Sequence, residues 1–223
     1  MELNMSQEPR SSEFEHITDP ENLAEVGVFI FAGHGIVENI GGVPRFEFVK
    51  TMEKSFPSLD VHFYVDCNRC WYAKGLEGIT TNVDETVEYL KTKKHKKNIF
   101  LGNSAGGYAA ILFGSLLEVD RVIAFHPQSN LTTIPSQVSK HQHVDRKYMK
   151  LDQYINDITD YRIYGHDKGG VDHPDDEIHH SRQLDFLTDL GKPNVSRFVM
   201  KDILKKVRDR GDLNKILEEA FKL

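Results

Sequence analysis

The chain has only two cysteines, Cys67 and Cys70, so no disulfide framework holds the fold and hydrophobic packing must do so. Excess basic charge is also absent: 28 Lys and Arg stand against 34 Asp and Glu, a net charge of -6, which argues against a nucleic-acid surface. No run approaches the roughly 20 apolar residues a membrane-spanning helix needs. The N-terminal MELNMSQEPRSSEFEH lacks the basic-then-apolar order of a signal peptide, so a cytoplasmic location is expected. Two nucleotide signatures are missing, G-x-x-x-x-G-K-[ST] and G-x-G-x-x-G. Histidine is missing from the C-terminal part, where none follows His180.

What is present suits a soluble globular domain. Hydrophobic residues make up 39% and charged residues 28%, too apolar for a disordered chain. A length of 223 residues suits one core. Residues 1–22 read as a polar tail and 23–223 as a single domain.

From Val26 to Ala32 a continuous apolar run ends in Gly33-His34-Gly35, the pattern of a strand buried on both faces. Phe48, Val49, Met52 and Phe56 follow at helical spacing between Pro44 and Pro57. Further strands are expected at Val61–Val65, Asn98–Leu101, Val119–Phe125, Tyr161–Tyr164 and Val195–Met200. Asn82 and Glu85 form a capping box ahead of Val83, Val87 and Leu90. Amphipathic helices are expected at Ser104–Leu117, with Tyr108, Ile111, Leu112 and Leu116 on one face, and around His180–Leu190. Another helical pattern closes the chain, interrupted at Gly211. Strands alternating with helices imply a three-layer α/β sandwich with a mostly parallel sheet. Ligands in such sheets gather at the carboxyl ends of the strands, which puts Gly33-His34-Gly35, Asp66, Ser104, His126 and the loop after Tyr164 on one edge.

Gly102-Asn103-Ser104-Ala105-Gly106 matches G-x-S-x-G, a nucleophile elbow in which the chain doubles back so tightly that the serine's neighbours must be small. The strand before it and the helix after it are the context this motif requires, and they point to an α/β-hydrolase fold with Ser104 as nucleophile. The helix N-terminus offers the Ala105 N–H as an oxyanion donor; His34 or Gly35 is the expected source of a second. The plain alternatives are a glycine-rich strand-to-helix turn of a flavodoxin-like or nucleotide-binding fold for the elbow, and a strand-ending turn with an incidental histidine for Gly33-His34-Gly35.

Asp66-Cys67-Asn68-Arg69-Cys70-Trp71-Tyr72 with Gly75, Gly102 to Ala110, Asp120-Arg121-Val122 and Ala124-Phe125-His126-Pro127-Gln128 together resemble α/β-hydrolase-like proteins associated with bacterial capsular and surface polysaccharide biosynthesis. The likeness is fullest over residues 26–130. Asp176 to Leu184 and Arg208 to Leu213 are similar to the family's closing segments. The resemblance implies a serine esterase or acyltransferase acting on a small-molecule or carbohydrate ester through an acyl-Ser104 intermediate, without an organic cofactor. It also implies a histidine just after the last strand, where this chain has Met200-Lys201-Asp202.

A base must therefore come from elsewhere. Residues 165–180 are dense in histidines and carboxylates. Asp167 is the first choice of acid, with Asp172 and Asp176 as rivals; His180 is the first choice of base, followed by His173, with His126 a separate candidate beside the elbow. The same cluster suits a divalent metal, although the adjacent His179 and His180 diverge on a helix, and no metal is assigned. Cys67 and Cys70 read as reduced thiols rather than half a zinc site. Trp71, Tyr72 and His126 are candidates to line a substrate pocket, with core packing the alternative for the aromatics. The rival to the enzyme is an inactive relative that binds a carbohydrate or a protein.

Overall fold

A computed structural model describes residues 12–34, 45–133, 143–166, 183–200, 202 and 204–223. Among these residues seven strands form one sheet: β1 (Glu13–His16), β2 (Val26–Phe31), β3 (Asp60–Tyr64), β4 (Lys97–Asn103), β5 (Arg121–Phe125), β6 (Asp160–His166) and β7 (Val195–Met200). Their order is β1-β3-β2-β4-β5-β6-β7. Only β1 is antiparallel to its neighbour.

The apolar runs form the inner strands because helices cover both faces of the sheet. On one side lie α1 (Val49–Ser55) and the C-terminal pair α4 (Leu204–Asp209) and α5 (Asp212–Ala220), over Val28, Ile30, Val61, Ile99, Leu101 and Ile123. On the other lie α2 (Val83–Lys91) and α3 (Ala105–Leu116), over Phe29, Phe31, Tyr64, Phe100 and Val122. The three-layer α/β sandwich expected from the alternation is present, with the mostly parallel sheet of an α/β-hydrolase fold. Gly211, at φ 81°, separates α4 from α5 where the pattern breaks. Arg121 docks the chain's end on the sheet by donating to the carbonyl oxygens of Ala220 at 2.7 Å and Lys222 at 2.6 Å.

Three local expectations are revised. The segment read as a tail contributes β1, whose residues pair with Val61 to Tyr64. The α3 helix, expected to be amphipathic, is buried all round from Ala105 to Ser115, because it packs on the centre of the sheet and is covered by later segments. The Asn82 side chain caps α2 by accepting the Glu85 N–H at 2.9 Å, but Glu85 answers Thr81 rather than Asn82, accepting its N–H and hydroxyl at 2.8 Å. In the stretch expected to form a helix around His180–Leu190, residues 183–188 are helical. No described helix is long and apolar enough to cross a membrane.

Candidate active site

Parallel pairing of β3, β2, β4, β5 and β6 places the residues that follow them on one edge. Ser104 follows β4 and is the N-cap of α3, at φ 56° and ψ -118°. A non-glycine residue in this region costs on the order of 1–3 kcal/mol and persists only when its surroundings over-determine it. Three hydrogen bonds do so: Ser104 N–H donates to the Phe125 carbonyl at 2.9 Å, and its own carbonyl accepts from Tyr108 N–H at 3.0 Å and Gln128 N–H at 3.3 Å.

The glycines of the motif are steric necessities. A Cβ on Gly102 would overlap the Gly106 carbonyl, and one on Gly106 would overlap the Phe31 carbonyl. The extra glycine, Gly107, packs against Pro127, whose Cα would lie 3.1 Å from an added Cβ.

Gly33 and His34 flank the elbow from the end of β2. A Cβ on Gly33 would lie 2.6 Å from the Asn103 carbonyl oxygen and 3.4 Å from Ser104 Cβ. The Ala32 N–H is used by the Tyr64 carbonyl at 2.9 Å, and the Gly33 N–H by Glu47 Oε2 at 2.9 Å. Among the described residues the His34 and Ala105 amides have no such partner, which makes them the open donors beside Ser104.

Two buried acids brace this loop, and their contacts were not foreseen from the sequence. Asp66 accepts from Cys70 N–H at 2.6 Å, Tyr72 N–H at 3.0 Å and Asn68 N–H at 3.1 Å, and its Oδ2 lies 3.0 Å from His34 Nε2. The same Nε2 lies 3.5 Å from the Trp71 amide nitrogen, and Nδ1 is buried with no hydrogen bond among the described residues. Glu47 accepts from Gly33 N–H with one oxygen and from Asn103 Nδ2 with the other, at 3.1 Å. Burial pushes its pKa up to about 7 despite those bonds.

The remaining predicted residues are placed as follows. Trp71 and Tyr72 are fully buried. The Tyr72 hydroxyl donates to the Ala32 carbonyl at 2.9 Å, and Trp71 Nε1 donates to Gln128 Oε1 at 2.7 Å, so both aromatics buttress the β2 and β5 loops. His126 follows β5 at φ 44°, with its N–H on the Tyr164 carbonyl at 2.7 Å. Cys67 and Cys70 are free; burial, with acidic neighbours, pushes their pKa values to about 12 and about 11, which keeps both as thiols. Gly35, Asp167, Asp172, His173, Asp176 and His180 lie outside the described residues. A cavity of about 440 Å³ between α1, α4 and α5, lined by Lys50, Lys54, Arg208 and Arg210 among others, contains none of the predicted site residues.

No protein-family model matches the chain, and no curated protein matches it in sequence. Solved structures do match in fold. A capsule O-acetyltransferase of Neisseria meningitidis serogroup A, an H228A mutant in complex with CoA, aligns with a TM-score of 0.65 at 11% identity, over 98% of this chain and 92% of that one. A lipase/esterase from Lactobacillus plantarum aligns at TM-score 0.56 and 11% identity, over 92% and 90% of the two chains. An alpha/beta hydrolase from the sediment metagenome of the Mar Chica lagoon, Morocco, aligns at 0.55 and 16%, over 97% and 96%. The chain has the α/β-hydrolase fold.

Proposed function

We propose that this protein transfers or hydrolyses an acyl ester through an acyl-Ser104 intermediate. The observation that supports the reading is the conformation of Ser104 at the head of α3, beside the open amides of Ala105 and His34. In the proposed reaction Ser104 Oγ attacks the acyl carbonyl and gives its proton to a histidine, and the two amides hold the oxyanion that forms. The intermediate collapses as the leaving group takes that proton. Water or a carbohydrate hydroxyl then attacks acyl-Ser104 while the same histidine accepts its proton, and the second tetrahedral intermediate breaks the acyl–Oγ bond as that proton passes to Ser104 Oγ, releasing the acid or the new ester. The histidine is drawn from His126, His173 and His180, with Asp167 the first choice to orient it. A thioester donor and a capsule-type carbohydrate acceptor are one form of this chemistry, in keeping with the fold shared with a CoA-bound capsule O-acetyltransferase.

Fluorophosphonate labelling tests the proposal, comparing wild type with S104A, H126A, H173A and H180A. Labelling that vanishes in S104A and in one histidine variant is expected. Folded wild-type protein that takes no label would overturn the enzyme in favour of the binding module.

A further inference from the structure

We propose that Glu47 is a positioning residue for this acyl transfer: its carboxyl group clamps the loop that carries the His34 amide against the elbow that carries Ser104. The inference rests on the acyl-Ser104 reading and assigns a role to a residue outside the motif.

Glu47 accepts two bonds, from Gly33 N–H at 2.9 Å and from Asn103 Nδ2 at 3.1 Å. Gly33 and Asn103 immediately precede His34 and Ser104. Their separations from Glu47 along the chain are 14 and 56 residues, so one side chain joins two segments that sequence does not connect. Each segment carries one of the open amides.

Peptide planarity gives the clamp its effect. The bond to Glu47 fixes the plane of the Ala32–Gly33 peptide. The His34 N–H belongs to the next peptide, which can turn only about the two dihedrals of Gly33. Glycine is the residue most free to turn there. Its freedom is limited at the far side as well, because the His34 ring is tied to Asp66 at 3.0 Å. The amide expected to meet the oxyanion is thus held from both sides, by Glu47 before it and Asp66 after it. An oxyanion donor contributes only when held within a few tenths of an ångström of its productive place.

Filling space alone would not require a carboxyl group. The site is closed, with Glu47 9% exposed between Phe46 and Phe48, and an apolar side chain would fill it without the cost of burying an acid. Such a side chain would leave the Gly33 N–H unpaired and free to reorient. Arg208 on α4 is the cation whose charge reaches Glu47; it does not replace either bond.

The test measures turnover of p-nitrophenyl acetate by full-length wild type, E47A, E47Q and N103A, together with hydrogen exchange of the Gly33 amide by NMR. E47A is expected to lower kcat by about tenfold or more with KM changed less than about twofold, and to speed Gly33 exchange. E47Q keeps an acceptor for Gly33 and should restore most of the lost kcat. N103A, which leaves Glu47 in place, should lower kcat in the same direction and covers the case in which E47A does not fold. Ser104-dependent turnover that is unaffected in E47A, or in N103A, overturns the clamp alone, as does unchanged Gly33 exchange in E47A. A wild type with no Ser104-dependent turnover overturns the acyl-transfer reading, and this role with it.

Discussion

Gly106 meets Phe31 backbone to backbone: a side chain on Gly106 would occupy the place of the Phe31 carbonyl oxygen. The contact is where α3 crosses the end of β2, and it sets how closely the elbow approaches the loop carrying His34. Neither partner can retreat, because Phe31 is fully buried and both belong to regular elements. G106A is therefore expected to cost about 3 kcal/mol or more, at or beyond the upper end of the usual range for overpacking a dense core. Gly78 provides the control. It has φ 78° and nothing within 4 Å of an added Cβ, so G78A should cost only about 1 kcal/mol, the left-handed backbone penalty. Urea unfolding of the two variants measures both, and equal losses would remove the steric explanation of the motif.

Why the elbow was legible and the clamp was not follows from the same distances. Gly102, Gly106 and Gly107 act within one turn of chain, so their steric requirement is written as a local pattern. The inner strands are also local, because burial on both faces demands unbroken apolar runs such as Val28 to Phe31. Glu13-Phe14-Glu15-His16 carries no such signal. It becomes β1 through partners far along the chain: Lys93 reaches Glu15 at 2.9 Å, His62 reaches the same carboxylate at 2.9 Å, and Phe14 stacks on Phe63. Glu47 likewise reads as an ordinary surface acid until the fold brings Gly33 and Asn103 to it.

Glu47 also predicts a dependence of stability on pH. Its folded-state pKa of about 7 lies above the ordinary 4.5, so between these values the folded chain binds the extra proton. Stability from this group is greatest below about pH 4.5 and is lost as pH rises through about 7. The gap corresponds to about 3 kcal/mol. E47Q, which never ionises, should therefore gain up to about 3 kcal/mol over wild type at pH 8 relative to the difference at pH 4.5. Urea unfolding at the two pH values decides it; a constant difference would mean that the carboxyl titrates near its ordinary value.

His62 works in the opposite direction. Its Nδ1 lies 2.9 Å from Glu15 and its Nε2 lies 3.0 Å from His95 Nε2, and burial pulls its pKa below 6.5 even beside the Glu15 carboxylate. The unfolded chain protonates this ring first. The stabilising contribution is present above pH 6.5 and declines as pH falls below it. In the E47Q background, where the Glu47 effect is absent, this contribution is expected to fall as the pH is lowered from 7 to 5.5, read by urea unfolding. A His62 ring resonance that titrates at or above pH 6.5 would contradict this.

Asp66 is the other brace of the loop, and its removal tests how far the loop depends on it. Alanine deletes both carboxylate oxygens: Oδ2, which meets Cys70 N–H, Tyr72 N–H and His34 Nε2, and Oδ1, which meets Asn68 N–H. At least one buried donor is left unpaired, at a cost of about 1–3 kcal/mol. His34 loses its anchor together with these backbone donors, and the amide beside Ser104 is released on that side. D66A is therefore expected to lower the thermal midpoint and to slow fluorophosphonate labelling of Ser104 by about tenfold or more, toward the loss that follows removal of one oxyanion donor. Labelling at the wild-type rate in folded D66A would show that the His34 loop keeps its place without Asp66. The second oxyanion donor would then have to be sought in a backbone N–H that this side chain does not hold.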